Sequence, residues 1–227
     1  MSAKAVRAYV GLGANVGDAE QTLAEAVAAL AALPGVRLRG VSRLYVTAPV
    51  GVTDQPDFRN AVVALDVPAG PDPAASATAL LAALKGLERD FGRRRRRRWG
   101  PRELDVDLLV FGRARLAIDR PPEARSVEAE TDPAKAALLL EVPHRDAGER
   151  LFVLAPLADL ASRLVPPGWH RTVETRRRER AAVEGPDAVR PIARWDAEGR
   201  RWQALQPMTR VSSAVSTAPP SGPRSTR

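Results

Sequence analysis

Cysteine is missing from all 227 residues. One absence thereby excludes a disulfide scaffold, a thiolate-held zinc, a thiolate nucleophile and a dithiol redox motif. Histidine occurs only twice, so a multi-histidine metal centre is close to excluded as well. Any metal here is expected to be a hard cation held by carboxylates. Aromatic residues make up 4% of the chain, which leaves few platforms for stacking successive nucleic-acid bases. No apolar run approaches the ~20 residues that a bilayer-spanning helix needs. Lys4 and Arg7 interrupt the opening where a signal peptide would carry its apolar core. The expectation is a cytoplasmic protein with no membrane partner.

What is present suits a globular protein with a real core: 44% of residues are apolar and 27% charged. The formal net charge is +8, which favours anionic partners. Its location matters. Residues 171–227 hold twelve arginines and six acids, so most of the excess lies in the C-terminal part.

Residues 6–12 read as a strand running into Gly11-Leu12-Gly13-Ala14-Asn15-Val16-Gly17. The third glycine falls one place late for a dinucleotide fingerprint, so this is read as a tight strand-to-helix turn. Asp18, with Gln21 three residues on, caps a helix with Leu23, Val27 and Leu30 on one face, and Pro34-Gly35 stops it. Residues 36–47 and 58–67 read as strands around a loop over 48–57. Residues 74–91 give the clearest helix, lined by Leu80, Leu84, Leu87 and Phe91. A further strand spans 104–111.

The order strand, helix, strand, strand, helix, strand predicts an α+β, ferredoxin-like antiparallel sheet with helices packed on one face. The other face would be free to build a site. Residues 1–166 are expected to form this domain, with an insert over about 113–141. Residues 151–160 read as a chain entering a short helix. An extension over 167–210 would include a hairpin within 189–205, and 211–227 would be a disordered tail.

The chemistry concentrates at Leu104-Asp105-Val106-Asp107-Leu108. Side chains alternate on a strand, so Asp105 and Asp107 share one face and the apolar three share the other. Taken alone, such a strand is as ordinary as a half-buried strand with a wet outer face. Its neighbour changes the reading. Arg98-Trp99-Gly100-Pro101-Arg102 stands just before it, and arginine forks match phosphate oxygens. Two acids for magnesium and arginines for phosphate point to phosphoryl transfer. The run 93–98 also reads as a solvated loop or a nucleic-acid patch.

Phe58 and Asn60 share a face at period two. An aromatic ring beside an amide suits a flat heterocycle, although a core Phe and a bulge Asn would look the same. His144-Arg145-Asp146 is no protein-kinase catalytic loop, because no glycine loop or strand lysine precedes it at the required places. A lone histidine is more often structural.

Together these segments resemble the 6-hydroxymethyl-7,8-dihydropterin pyrophosphokinase family of folate biosynthesis. The resemblance rests on the glycine–asparagine opening, with Ala14 where serine is usual. It also rests on Tyr45-Val46-Thr47-Ala48-Pro49-Val50-Gly51 with Asp54-Gln55-Pro56-Asp57-Phe58-Arg59-Asn60, on Arg98 through Leu109, and on Val142-Pro143-His144 followed by Arg150 and Phe152. It covers roughly residues 6–166 apart from the insert.

The resemblance implies a magnesium-dependent transfer of pyrophosphate from ATP to the pterin hydroxymethyl group, releasing AMP. It implies two magnesium ions on Asp105 and Asp107, and Arg93 and Arg102 as catalytic groups. The pterin would lie between Phe58 and Phe152, read by Asn60 and the main chain near Thr47 and Val50. Glu88, Arg95, Trp99, Leu108, His144 and Arg150 would line the ATP side. Loops 48–57 and 93–101 would be moving lids. The family is usually monomeric, and no fused second activity is expected. The competing reading is a basic nucleic-acid-binding module built on residues 93–98 and the tail.

Overall fold

A computed structural model describes residues 4–49, 51, 53–92, 100–121 and 137–205. Strand β1 (Lys4–Ala14) ends at a turn where Gly17 takes φ +62°, a conformation that favours glycine. The Asp18 carboxylate accepts from the Gln21 N–H at 3.0 Å and starts α1 (Ala19–Ala32). Gln21 does not close the reciprocal half of a capping box; its amide donates to Glu25 instead.

The strand expected over 36–47 is two strands, β2 (Arg37–Val41) and β3 (Leu44–Thr47). The break has a cause. The Ser42 hydroxyl takes the Val62 N–H and donates to the Arg43 carbonyl, while the backbone and guanidinium of Arg43 turn to Asp159. Next come β4 (Phe58–Ala69), α2 (Pro73–Asp90) and β5 (Asp105–Phe111). Asp72 caps α2, and Pro73 opens it where a missing N–H costs nothing.

The main sheet has seven strands in the order β5-β1-β4-β3-β8-β9, with β2 also paired to β4. Every recorded pairing is antiparallel. The expected α+β plan is present. One face carries Ala8, Val10 and Leu12 of β1, Val63 and Leu65 of β4, and Val106 and Leu108 of β5, packed against Leu23, Val27 and Leu30 of α1 and Leu80 and Leu84 of α2. Fully burying each such leucine or valine contributes about 1.5–3 kcal/mol.

Helices also reach the second face. Tyr9, Val62, Ala64 and Leu109 meet Leu154 and Leu157 of α3 (Leu151–Ala161). That helix covers part of the face and leaves the remainder open.

The region expected as an insert contains a separate two-stranded sheet, β6 (Leu116–Asp119) with β7 (Leu138–Val142). The extension is built onto the main body. Helix α4 (Val173–Glu184) starts at a Thr172 cap. The expected hairpin is β8 (Val189–Asp196) and β9 (Arg201–Ala204), and β8 pairs along β3. Trp202 is buried, donates its indole N–H to the Ser42 carbonyl at 3.1 Å, and meets Trp195 edge-on at 4.7 Å. The tail expected to be disordered lies outside the described residues. Among those described, no helix is long and apolar enough to cross a membrane.

Candidate active site

The open part of the second face is shaped by three strands and a roof. Strand β4 presents Phe58 and Asn60; β5 presents Asp105 and Asp107; β1 runs between them with glycines at those levels. Gly13 stands opposite Asn60 on one side and Asp105 on the other, and Gly11 opposite Val62 and Asp107. A Cβ at Gly13 would sit 3.4 Å from Asn60 Oδ1, and one at Gly11 would sit 3.4 Å from Leu109. The two glycines are therefore the floor of a groove. This corrects the reading of the whole glycine segment as a turn: Gly11 and Gly13 belong to β1, and only Gly17 makes the turn.

The resulting cavity has a volume of about 340 Å³. Thr47, Phe58 and Asn60 lie along one side of it, Arg102, Asp105 and Asp107 along another, and His144, Arg150 and Phe152 also line it. Nine of the fifteen expected site residues are thus brought together. Val50, Arg93, Arg95 and Trp99 lie outside the described residues.

Two of the expected residues place their side chains elsewhere. Leu108 does not line the cavity; it is 2% exposed and packs in the core under α1 and α2. Strand alternation puts it opposite the aspartates. Glu88 is 3% exposed and does not line the cavity either. Its carboxylate accepts the Val106 N–H at 2.8 Å and the Lys85 ammonium at 2.6 Å, and Lys85 also donates to the Val106 carbonyl at 3.0 Å. β5 is the edge of the sheet. The Lys85–Glu88 pair satisfies the outward N–H and C=O of the residue between the two aspartates, which would otherwise be an unpaired edge.

The carboxylates stand in a cationic setting. Arg102 approaches Asp105 at 3.5 Å and Lys85 approaches Asp107 at 3.6 Å. Their side chains are 30% and 40% exposed. No group of three or more His, Asp or Glu residues that could hold a metal occurs among the described residues. A divalent cation here would need water and phosphate oxygens to complete its shell, which is how magnesium usually binds. Two accessible oxygen donors therefore fit that ion.

The opposite side is drier. Asn60 is buried and its Nδ2 donates to the Thr47 hydroxyl at 2.9 Å. Above it, Arg150 donates to Asp146 at 2.7 Å and lies over the Phe152 ring at 5.8 Å. The His144 N–H donates to the Leu109 carbonyl at 2.9 Å, which ties this roof segment to β5.

Asn15, part of the glycine–asparagine opening but given no role there, ties Gln55 and Pro56 to Arg102. It is 3% exposed. Its Nδ2 donates to Gln55 and to the Pro56 carbonyl, both at 3.0 Å, and its Oδ1 accepts the Arg102 N–H at 2.7 Å. Lys85 was missed. Its signal was a basic residue three places before an acid that helical spacing sends inward.

Comparison with known proteins covers most of this framework. Residues 9–162 match the family model for 7,8-dihydro-6-hydroxymethylpterin-pyrophosphokinase (HPPK). The chain is 41% identical over 162 residues to the 2-amino-4-hydroxy-6-hydroxymethyldihydropteridine pyrophosphokinase of Methylorubrum extorquens, covering 71% of this chain and 87% of that protein. The Pseudomonas aeruginosa protein of the same name is 41% identical over 165 residues, covering 72% and 86%. The crystal structure of Plasmodium falciparum HPPK-DHPS superposes with a TM-score of 0.63 at 13% identity, covering 90% of this chain and 50% of that one. That last likeness concerns the fold.

Proposed function

From the premise that the chain belongs to the 7,8-dihydro-6-hydroxymethylpterin-pyrophosphokinase family, we propose that it transfers pyrophosphate from ATP to 6-hydroxymethyl-7,8-dihydropterin and releases AMP, in folate biosynthesis. The observation that carries this reading is the groove itself. A buried amide–hydroxyl pair flanked by aromatic rings and a pair of accessible carboxylates open into one cavity over a glycine floor.

In this reading the pterin ring lies between Phe58 and Phe152, and Asn60, with the main chain near Thr47 and Val50, pairs with its edge. Glycine at 11 and 13 lets the hydroxymethyl group extend toward the carboxylates. The pterin oxygen attacks the β-phosphorus of ATP; the bond from that phosphorus to the α-phosphate oxygen breaks, and AMP leaves. Asp105 and Asp107 would hold magnesium, two ions in this proposal, whose charge offsets that of the triphosphate. Arg102, with Arg93, sets its fork against the phosphate oxygens as charge develops on them. His144, Arg150, Arg95 and Trp99 serve the nucleotide. Lys85 and Glu88 act behind β5, holding the strand that carries the acids. A cytoplasmic monomer is part of the same proposal.

The test mixes the protein with ATP, magnesium and the reduced hydroxymethyl pterin. AMP should appear only when all are present; ADP, or an unchanged nucleotide, goes against the reading. The alternative of a nucleic-acid-binding module is not favoured. The named relatives above are pyrophosphokinases, and paired acids beside the arginines would repel a phosphate backbone.

A further inference from the structure

We propose that the C-terminal extension, residues 167–205, is a positioning brace that sets the pterin-side wall of the cavity without touching substrate. It rests on the pterin assignment above. None of the described residues lining the cavity comes from this extension, and the family model ends at residue 162. Three contacts nevertheless run from it to the wall.

The first is a strand. β8 places Val189 opposite Thr47, Arg190 opposite Val46 and Pro191 opposite Tyr45. β3 has only four residues, and without β8 it would be an exposed edge, free to fray. With β8 in place it is an inner strand, and Thr47 is held where its hydroxyl accepts from Asn60. The second is apolar. Val189, Ala181 and Ala188 pack with Tyr45, Leu151, Ala155 and Phe152, so the extension backs the ring that lines the cavity.

The third is a grip on the turn at Ala147–Glu149, just ahead of Arg150. A Cβ on Gly148 would lie 3.2 Å from the Trp169 ring and 3.4 Å from Arg176. Arg176 stacks over Trp169 at 5.1 Å and donates to Glu149 at 2.9 Å. Glu184 accepts from the Leu151 N–H at 3.4 Å. The segment bearing Arg150 and Phe152 is thus held from behind. The carboxylate side takes its support from Lys85 and Glu88, so the brace should act mainly on the pterin and, through Arg150, more weakly on ATP.

The experiment uses the full chain with Arg176→Ala and Arg176→Lys. Glu149→Ala cuts the same tie from an exposed position should Arg176→Ala fail to fold. Pterin Kd by calorimetry, both KM values, kcat and Tm are measured. We expect pterin Kd and KM to rise about fivefold in Arg176→Ala, with kcat and the ATP KM within about twofold, because small misplacements of a binding wall are felt in ground-state binding. Arg176→Lys should fall between that variant and the parent. An unchanged pterin Kd, whatever the Tm, would overturn the brace, as would an ATP constant worsening as much as the pterin constant. A parent chain that binds the pterin yet releases no AMP sinks the pyrophosphokinase reading alone, since Kd still decides the brace. A parent that binds no pterin sinks both.

Discussion

The carboxylate and amide sides of the cavity are held by different means. The carboxylate side stands on an edge strand, is partly exposed, and is supported from nearby in the chain: Lys85 and Glu88 reach Val106 across about one helix-to-strand connection. The amide side stands on inner strands, and its backing comes from residues more than a hundred positions away, such as Val189 behind Thr47. The difference follows from the ligands proposed for each. A polyphosphate with its metal arrives hydrated and is gripped by charge, so a wet, locally braced edge suffices. A flat heterocycle is selected by shape and by a few hydrogen bonds, which are worth most where water is excluded and partners are fixed.

The sharpest way to break this contrast is to remove the acids. Asp105→Ala combined with Asp107→Ala should lower kcat/KM by about three orders of magnitude or more, as expected when charge stabilisation of a transferring phosphoryl group is lost. Pterin Kd and Tm should move little. A calorimetric titration showing pterin affinity lost together with turnover would mean that the two sides are not separable.

Asn60→Ala probes the other side. It removes the buried amide and leaves the Thr47 hydroxyl without that donor. Pterin affinity should drop about thirtyfold or more, because a site built to pair with polar edges pays in full when one partner is deleted. The ATP Kd, read with a non-hydrolysable analogue, should stay within about twofold. Comparable losses for both ligands would contradict the division.

A smaller effect is expected from Glu88→Ala. The buried carboxylate serves the Val106 N–H and the Lys85 ammonium, so its loss should cost about 1–3 kcal/mol of stability. Glu88→Gln keeps an acceptor and should recover most of it in urea melts. If Glu88→Ala alters only the ATP KM and leaves the melts untouched, Glu88 is a nucleotide ligand after all and the edge-clamp account is wrong.

These outcomes divide much as legibility in the sequence did. Alternation alone placed Asp105 and Asp107 on one face and Val106 on the other, and it placed Phe58 with Asn60, because the period of a strand is fixed by its geometry. The same rule puts the Leu108 side chain in the core. Glu88 lies four residues after Leu84, so helical spacing already turns it inward. A buried acid then asks for a partner, and Lys85 supplies one. The break between β2 and β3 could not be read, because it depends on Asp159, 116 residues beyond Arg43. Helix α4 was missed because Val173 is its one buried residue. Its sequence is a row of charges whose i,i+4 pairs, Glu174 with Arg178 and Arg180 with Glu184, show only once it is helical.

That row of charges gives the mildest prediction, and it bears on the distant support alone. Hydrogen bonding from Arg177 first, and from Arg178 after it, pulls the Glu174 carboxylate from an ordinary 4.5 down to about 2. A depressed acid contributes stability that is fully present above its unfolded value and is lost as pH falls through its folded value. The window is therefore pH 4.5 to about 2. Because the pair is partly exposed, the contribution should stay below about 1 kcal/mol and shrink with added salt. Melts of the parent and Glu174→Gln should differ slightly at pH 6 and converge toward pH 2.5, since the parent loses in acid what the variant never had. A gap that stays constant across that range would mean the arginines do not stabilise α4 through this carboxylate.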